Sequence, residues 1–459
     1  MKVFVICLII SFKSLFATFP FVSFNNQPEV PFWHLYSDTL GLCKRKDVLQ
    51  YKSVAWYFSL WDLVESKGKN ITVVIVDDFE KEIPFNEKFN HQFLSYLQKV
   101  DKKKLQQLPL EQIFKDCNSA KYKFVKNIKN SQQHGIVTFH LIKQLAPFVR
   151  IIPIRLLDKT EKGLYEALKL AKNSNPDILH LGLKVNNDFS PLHKKIKKII
   201  KRFPYVVASS GNDALIEKEE SFPANSSEVF FDVGAFDNKN EVCEFSQFQK
   251  GVGPLFVCPG DNIMYPTLTS KQDFTISKLS GTSTAAALMT GFLSLVLSEF
   301  RNNFSDEQIK FVIEQCTHKL TNSTSWKQRV VKGAIDMREV LLACCVLSKM
   351  QLMLSRKEFK ENFATITKAL LRIMSNKLIV NFFGKFERGE VFVKRIKFYA
   401  QESFFNQVSL TLVLLIAELC NLDTLKERFL MKEIDIDASI LLKSIIESGC
   451  YERGSDSVL

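Results

Sequence analysis

The 459 residues, 46% of them hydrophobic, supply enough apolar material for one large folded domain and an appendage, which excludes a disordered or fibrous chain. The formal net charge is +13, with lysines in runs such as Lys102–Lys104 and Lys194, Lys195, Lys197 and Lys198. No groove-reading motif accompanies them, so no nucleic-acid partner is expected, and the runs read as solvated helix faces with a mild attraction for acidic surfaces.

At the N-terminus, Met1-Lys2 precedes an uncharged run from Val3 to Ile10, and Ser11 to Ala17 follow with Lys13 among them. This pattern predicts a secretory signal peptide over residues 1–17, and with it a secreted or exported protein. Eight to twelve apolar residues are too few to span a bilayer, so no stable membrane span is expected there. Residues 18–55 form a Phe/Pro-containing lead-in, and residues 56–345 alternate strand-like and helical stretches. Thr72–Val76 is a β-branched run closed by Asp77 and Asp78, as expected of a buried parallel strand carrying an acid at its C-terminal end. Either carboxylate can be the functional one, and the strand pattern favours Asp77. The lysine-rich stretch Glu80–Lys129 reads as an insertion ahead of Gln133-His134-Gly135, where His134 opens a helix. Further strands are expected at Ile151–Leu156, Ile178–Leu183, Tyr205–Ala208 and Val229–Val233. The Tyr205 strand runs out into Ser209-Ser210-Gly211-Asn212, which ends in an amide side chain. His140 and His180 read as structural. In Lys278–Ala287 a glycine turn at Gly281 places Ser283 at the mouth of a small-residue, apolar helix, where free N–H groups and the positive dipole end favour a nucleophile and an oxyanion.

An acid, a histidine, an amide and a serine therefore occur in the order Asp77, His134, Asn212, Ser283. These four segments resemble the signatures of the subtilisin-like serine proteases, whose triad runs Asp, His, Ser along the chain; the chymotrypsin and α/β-hydrolase orders differ. Flanking pieces agree: Ser221-Phe222-Pro223-Ala224, Val233-Gly234-Ala235, Glu244-Phe245-Ser246, Cys258-Pro259-Gly260 and Gly333-Ala334-Ile335-Asp336 resemble family segments, so that the likeness extends from about Trp61 to Leu342. Sedolisins share the Gly-Thr-Ser turn but use Glu where this chain has His134 and Asp where it has Asn212. The resemblance implies a serine endopeptidase acting on protein or peptide substrates through an acyl-enzyme on Ser283, with His134 as base, Asp77 orienting it and Asn212 donating to the oxyanion. It implies an α/β fold, a doubly wound, mainly parallel sheet flanked by helices. Bound calcium is possible by the same resemblance, although no His/Cys/Asp/Glu cluster has metal-ligand spacing and no cofactor is identifiable.

The sequence departs from the family pattern at several points. Phe79 follows Asp77-Asp78 where a glycine is usual, and would be hard to accommodate at positive φ. Ile136 replaces a threonine beside His134, Leu181-Gly182-Leu183-Lys184 replaces a Ser-Leu-Gly-Gly segment, and Ala287 stands where a proline is usual. These substitutions define the alternative reading, a catalytically weak or inactive scaffold kept as a secreted binding protein. Residues 18–55 are also shorter than the folded propeptide that many members of the family carry, so none is expected in that lead-in.

Residues 346–459 change in texture. Glycine and proline become scarce, and Phe359–Ile373 and Leu410–Leu419 have helical apolar spacing, so a helical C-terminal extension of unknown role, able to bind a partner, is expected. The apolar run Val408–Ala417 is too short to cross a membrane. Ten cysteines, Cys7 among them in the leader, leave an odd number to pair, and no disulfide framework is expected.

Overall fold

A computed structural model describes residues 60, 63–79, 134–185, 191–214, 222–247, 255–268, 274–318, 320 and 332–355. Of these, the residues up to Leu341 belong to one compact unit and residues 342–355 to a second. The leader, the Glu80–Lys129 insertion and the helices expected beyond residue 355 lie outside the described residues.

The first unit is built on an eight-stranded sheet. In chain order its strands and helices begin with β1 (Thr72–Asp77), α1 (His134–Leu145), β2 (Arg150–Arg155), α2 (Glu161–Asn173), β3 (Ile178–Leu181), α3 (Pro191–Ile200), β4 (Tyr205–Ser209), β5 (Phe231–Phe236) and β6 (Phe256–Pro259). A two-stranded antiparallel ribbon, β7 (Ile263–Leu268) with β8 (Phe274–Leu279), leads into α4 (Thr282–Phe300). After it come α5 (Asp306–Gln315), β9 (Thr317–His318), β10 (Gly333–Ile335) and the start of α6 (Met337–Ser355), whose residues from Leu342 on belong to the second unit. The sheet order is β2-β1-β3-β4-β5-β6-β10-β9; the first seven strands are parallel and β9 alone runs antiparallel. The order reverses at β1, and the chain's carboxylate at Asp77 ends that strand, the place where open α/β sheets collect functional groups.

Strand alternation sorts the two faces. Val74, Val76, Leu179, Leu181, Val206 and Ala208 form one hydrophobic layer with Leu164, Leu168 and Ala171 of α2 and Ile196 and Ile200 of α3. The alternate positions, Asp77 and His180 among them, point to the opposite face, which α1 and α4 cover. Helix α4 packs along β3, β4, β5 and β6, and its first turns use Ala285, Ala286 and Ala287, all fully buried. Helix α1 crosses α4 at Gly291, where an added Cβ would stand 2.9 Å from Leu145 Cβ and 3.1 Å from the Ile142 carbonyl. By length and composition α4 could cross a membrane, yet 89% of its apolar window is buried in this domain. It is the core helix.

The expected strands are present; β1, β2 and β4 differ from expectation by no more than one residue at either end, and the ends of β3 and β5 shift further. The run expected to extend to Leu183 stops at Leu181, because Gly182 passes close to His180 and Asp77. The run expected at Val229–Val233 is β5, Phe231–Phe236; its first two residues lie in the turn that follows Ser226, whose carbonyl accepts the Val229 N–H. Cys243, Cys258, Cys316, Cys344 and Cys345 are buried thiols outside any disulfide. Burial alone raises the Cys258 and Cys344 thiols far above the usual range.

Candidate active site

The β1 end, the α1 start and the α4 start meet at one point. Gly135 N–H donates to the Asp78 carbonyl (3.1 Å), docking the first turn of α1 against the end of β1. This places His134 Nδ1 2.8 Å from Asp77 Oδ1 and 2.9 Å from Oδ2. Its Nε2 stands 2.8 Å from Ser283 Oγ. A carboxylate can only accept, so Nδ1 carries the proton and Nε2 presents a lone pair to the serine hydroxyl. Asp77 is 2% exposed and receives further donors: the Asp78 N–H at 2.7 Å on Oδ1, and the Thr138 hydroxyl 3.2 Å from Oδ2. Asp78, the other candidate acid, is exposed to solvent. Burial of His134 works against its charged form, but the hydrogen bond and charge of Asp77 outweigh it, and the imidazole is raised above its ordinary 6.5.

Asn212 lies beyond β4, after Gly211, whose φ of 106° a side chain would not tolerate. Its Oδ1 accepts the Thr282 N–H at 2.8 Å and the Thr282 hydroxyl at 3.0 Å, and the same hydroxyl oxygen accepts the Gly211 N–H at 3.1 Å. With its oxygen so held, the Asn212 amide presents Nδ2 toward the cleft. A Cβ at Gly281 would stand 3.2 Å from that nitrogen and 3.4 Å from Ser283 Oγ, so the glycine keeps open the space between them. Among the described residues, the N–H of Ser283 has no hydrogen-bond partner, while Thr284 and Ala285 donate to the Gly281 carbonyl. A second donor thus faces the same space, as the free first turn of a helix requires.

The four expected residues therefore converge. Phe79 does not adopt positive φ; it is buried, with its ring edge against Gly135, where an added Cβ would stand 2.7 Å from it. Ile136, the other apolar departure, is buried in α1. Four further contributors were not expected at the site, although Thr282, His180 and Gly182 lie in segments the sequence singled out. Thr282 orients Asn212, and Thr138, one helical turn past His134, braces Asp77; both are threonines at helix positions, where that residue type is commonplace. His180 is fully buried, with Nδ1 2.8 Å from the Thr290 hydroxyl, which itself donates to the Ala286 carbonyl. His180 therefore donates from Nδ1, and burial lowers its imidazole to about 4, so it stays neutral. Gly182 separates it from the acid: a Cβ there would stand 2.8 Å from His180 Nε2, 3.2 Å from Asp77 Oδ2 and 3.5 Å from His134 Cε1. Among the described residues no three His, Cys, Asp or Glu side chains converge as a metal site.

Residues 113–333 match the subtilase family. A thermophilic serine proteinase of Bacillus sp. (strain AK1) is 28% identical over 189 residues, covering 40% of this chain and 44% of that protein. The major intracellular serine protease of Bacillus subtilis (strain 168) is 29% identical over 180 residues, covering 37% of this chain and 54% of that protein. The matched segment thus spans about half the length of these curated relatives. Among solved structures, the prenylagaramide maturation protease PagA superposes with a TM-score of 0.44 at 16% identity, over 62% of this chain and 96% of that one. Proteases from Pseudoalteromonas arctica give 0.45 at 14% identity, over 68% and 97%.

Proposed function

We propose that the protein is a serine endopeptidase that cleaves protein or peptide substrates through an acyl-enzyme on Ser283, a reading that the match of residues 113–333 to the subtilase family supports. The observation that carries this reading is the unbroken chain from Asp77 through His134 to Ser283 Oγ, with contacts of 2.8 Å on both sides of the imidazole. A serine hydroxyl is a poor nucleophile at neutral pH and needs a base within hydrogen-bond reach. His134 Nε2 takes the hydroxyl proton as Ser283 Oγ attacks the peptide carbonyl, and Asp77 stabilises the imidazolium and fixes its orientation. The carbonyl oxygen, now charged, is held by Asn212 Nδ2 and the Ser283 N–H. His134 then gives its proton to the departing amine, and water repeats the sequence to free the acid. The departures at Phe79 and Ile136 are packed into the domain and touch none of these steps. The charged-then-apolar leader over residues 1–17 supports export as the setting for this activity.

The test is hydrolysis of an unstructured protein such as casein, with product release followed for a pre-steady-state burst. Wild type should turn over, and Ser283→Ala should be inert. Asn212→Ala should keep its KM while kcat falls about 10²–10³-fold, the loss known for such a donor in subtilisin itself. Equal turnover by wild type and Ser283→Ala would overturn the reading.

A further inference from the structure

Strand β2 is the edge of the sheet beside β1, and its last residue, Arg155, is the register partner of Asp77. Paired positions in a parallel sheet share a face, so the exposed Arg155 leaves the edge on the triad side. The next residue ties the connection to the acid strand, with Leu156 N–H donating to the Asp77 carbonyl at 2.8 Å. Residues 157–159 then turn outward before α2. Leu157 is 81% exposed, the largest exposure of a bulky apolar side chain among the described residues, and Lys159 is exposed two positions on.

This tip carries two cations, Arg155 and Lys159, against one anion, Asp158, whose carboxylate the hydrogen bonds it accepts keep ionised. Asp158 is engaged locally, accepting from the Thr160 N–H at 3.1 Å and from the Thr160 hydroxyl, in the cap of α2. Glu161 is buried against His193 Nδ1 at 2.9 Å. In the segment that follows β3, Lys184 is paired with Asp213, the residue after Asn212, at 2.9 Å. Arg155 and Lys159, by contrast, form no ion pair among the described residues. Lys159 is close enough to His134 to act against its positive charge.

We propose that Arg155 and Lys159 form a cationic rim on the His134 side of the cleft that selects peptides bearing a carboxylate side chain near the bond to be cut, with Leu157 offering apolar contact to the neighbouring residue. This rests on the peptidase reading above for its substrate class, but the rim's charge preference can be measured without turnover. Exposed pairs of opposite charge are each worth about 0.2–1 kcal/mol, so two of them correspond to a preference of roughly 2- to 30-fold at low ionic strength, which screening reduces as salt rises.

The experiment measures fluorescence anisotropy with the Ser283→Ala protein and two labelled peptides of the same length. One carries two glutamates beside its central bond; the other has lysines in their place. The glutamate peptide should bind several-fold tighter at low salt, and Lys159→Glu and Arg155→Glu should each shrink or invert that ratio. Lys195→Glu, on the exposed side of α3 across the sheet, controls for net charge and should leave the ratio nearly unchanged. An unchanged ratio in both rim variants, or an equal change in Lys195→Glu, would overturn the proposal. In the active protein, Lys159→Glu should also shift the acid limb of kcat/KM to higher pH for an uncharged substrate. His134 faces Asp77, Asp78 and Lys159, with His180 behind, and the substitution replaces the cation that acts on it among the described residues with an anion. A protein that cleaves neither peptide yet keeps the binding preference would refute the peptidase reading and leave the rim standing. One that cleaves both equally would refute the rim alone.

Discussion

The imidazole of His134 is held between a carboxylate on one nitrogen and a hydroxyl on the other, and on the proposed peptidase reading this fixes how activity must respond to pH. Its protonated form is stabilised by Asp77, and its affinity for a proton is raised above 6.5 despite burial. A general base works only when neutral. The acid limb of kcat/KM should therefore fall above pH 6.5, with activity lost as pH drops through it, and Asp77→Asn should both slow the reaction and move the limb down. A limb below pH 6 in wild type would contradict the Asp77–His134 contact. The four principal residues were legible in the sequence because each sits at an element boundary with its own local signature: a carboxylate closing a β-branched run, a histidine before Gly135, an amide after Gly211 and a serine after Gly281. Thr138 and Lys159 carried no such mark, and Thr282, although inside the Gly-Thr-Ser turn, gave no sign that it orients Asn212. Their roles depend on which elements the fold brings together, and a threonine or lysine in a helix or loop is most often an ordinary solvated or capping residue.

Between β3 and the triad, packing is tight enough to be tested through one methyl group. Gly182 lies where β3 ends, wedged between the neutral His180 and Asp77, and any Cβ there meets His180 Nε2 at 2.8 Å and Asp77 Oδ2 at 3.2 Å. Gly182→Ala should displace one of them, lowering kcat about tenfold or more with little change in KM, since a small misplacement of a catalytic group is costly. Adding His180→Ala should recover part of that loss, because the imidazole that crowds the methyl is gone. A strictly additive double mutant would show that the two residues do not share this space. The same crowding explains why the expected strand end at Leu183 was two residues too long. Periodicity reads apolar character, and Leu183 continues the apolar run, but a close approach between neighbouring strands is a tertiary fact. Helix α4 makes the complementary point. Its composition alone fits a membrane span, and only the sheet against which it lies makes it a core helix.

For the whole molecule, the mainly parallel sheet with helices on both faces followed from the alternation of strand-like and helical segments, and the order of the motifs along the chain was enough to point to the family. The ribbon β7–β8 was not legible, because Ile263–Leu268 and Phe274–Leu279 lack the strict alternation or two-residue turn that marks a hairpin. Nor could sequence show that the apolar departures Phe79 and Ile136 are absorbed into packing around an intact Asp77–His134–Ser283 chain. The measurement that tests this most directly is reaction of the purified protein with a fluorophosphonate probe, the adduct being located by mass spectrometry. An intact chain predicts near-stoichiometric labelling confined to Ser283, abolished in Ser283→Ala and reduced by orders of magnitude in His134→Ala. A folded wild-type protein that remains unlabelled, or that labels equally well without His134, would contradict it.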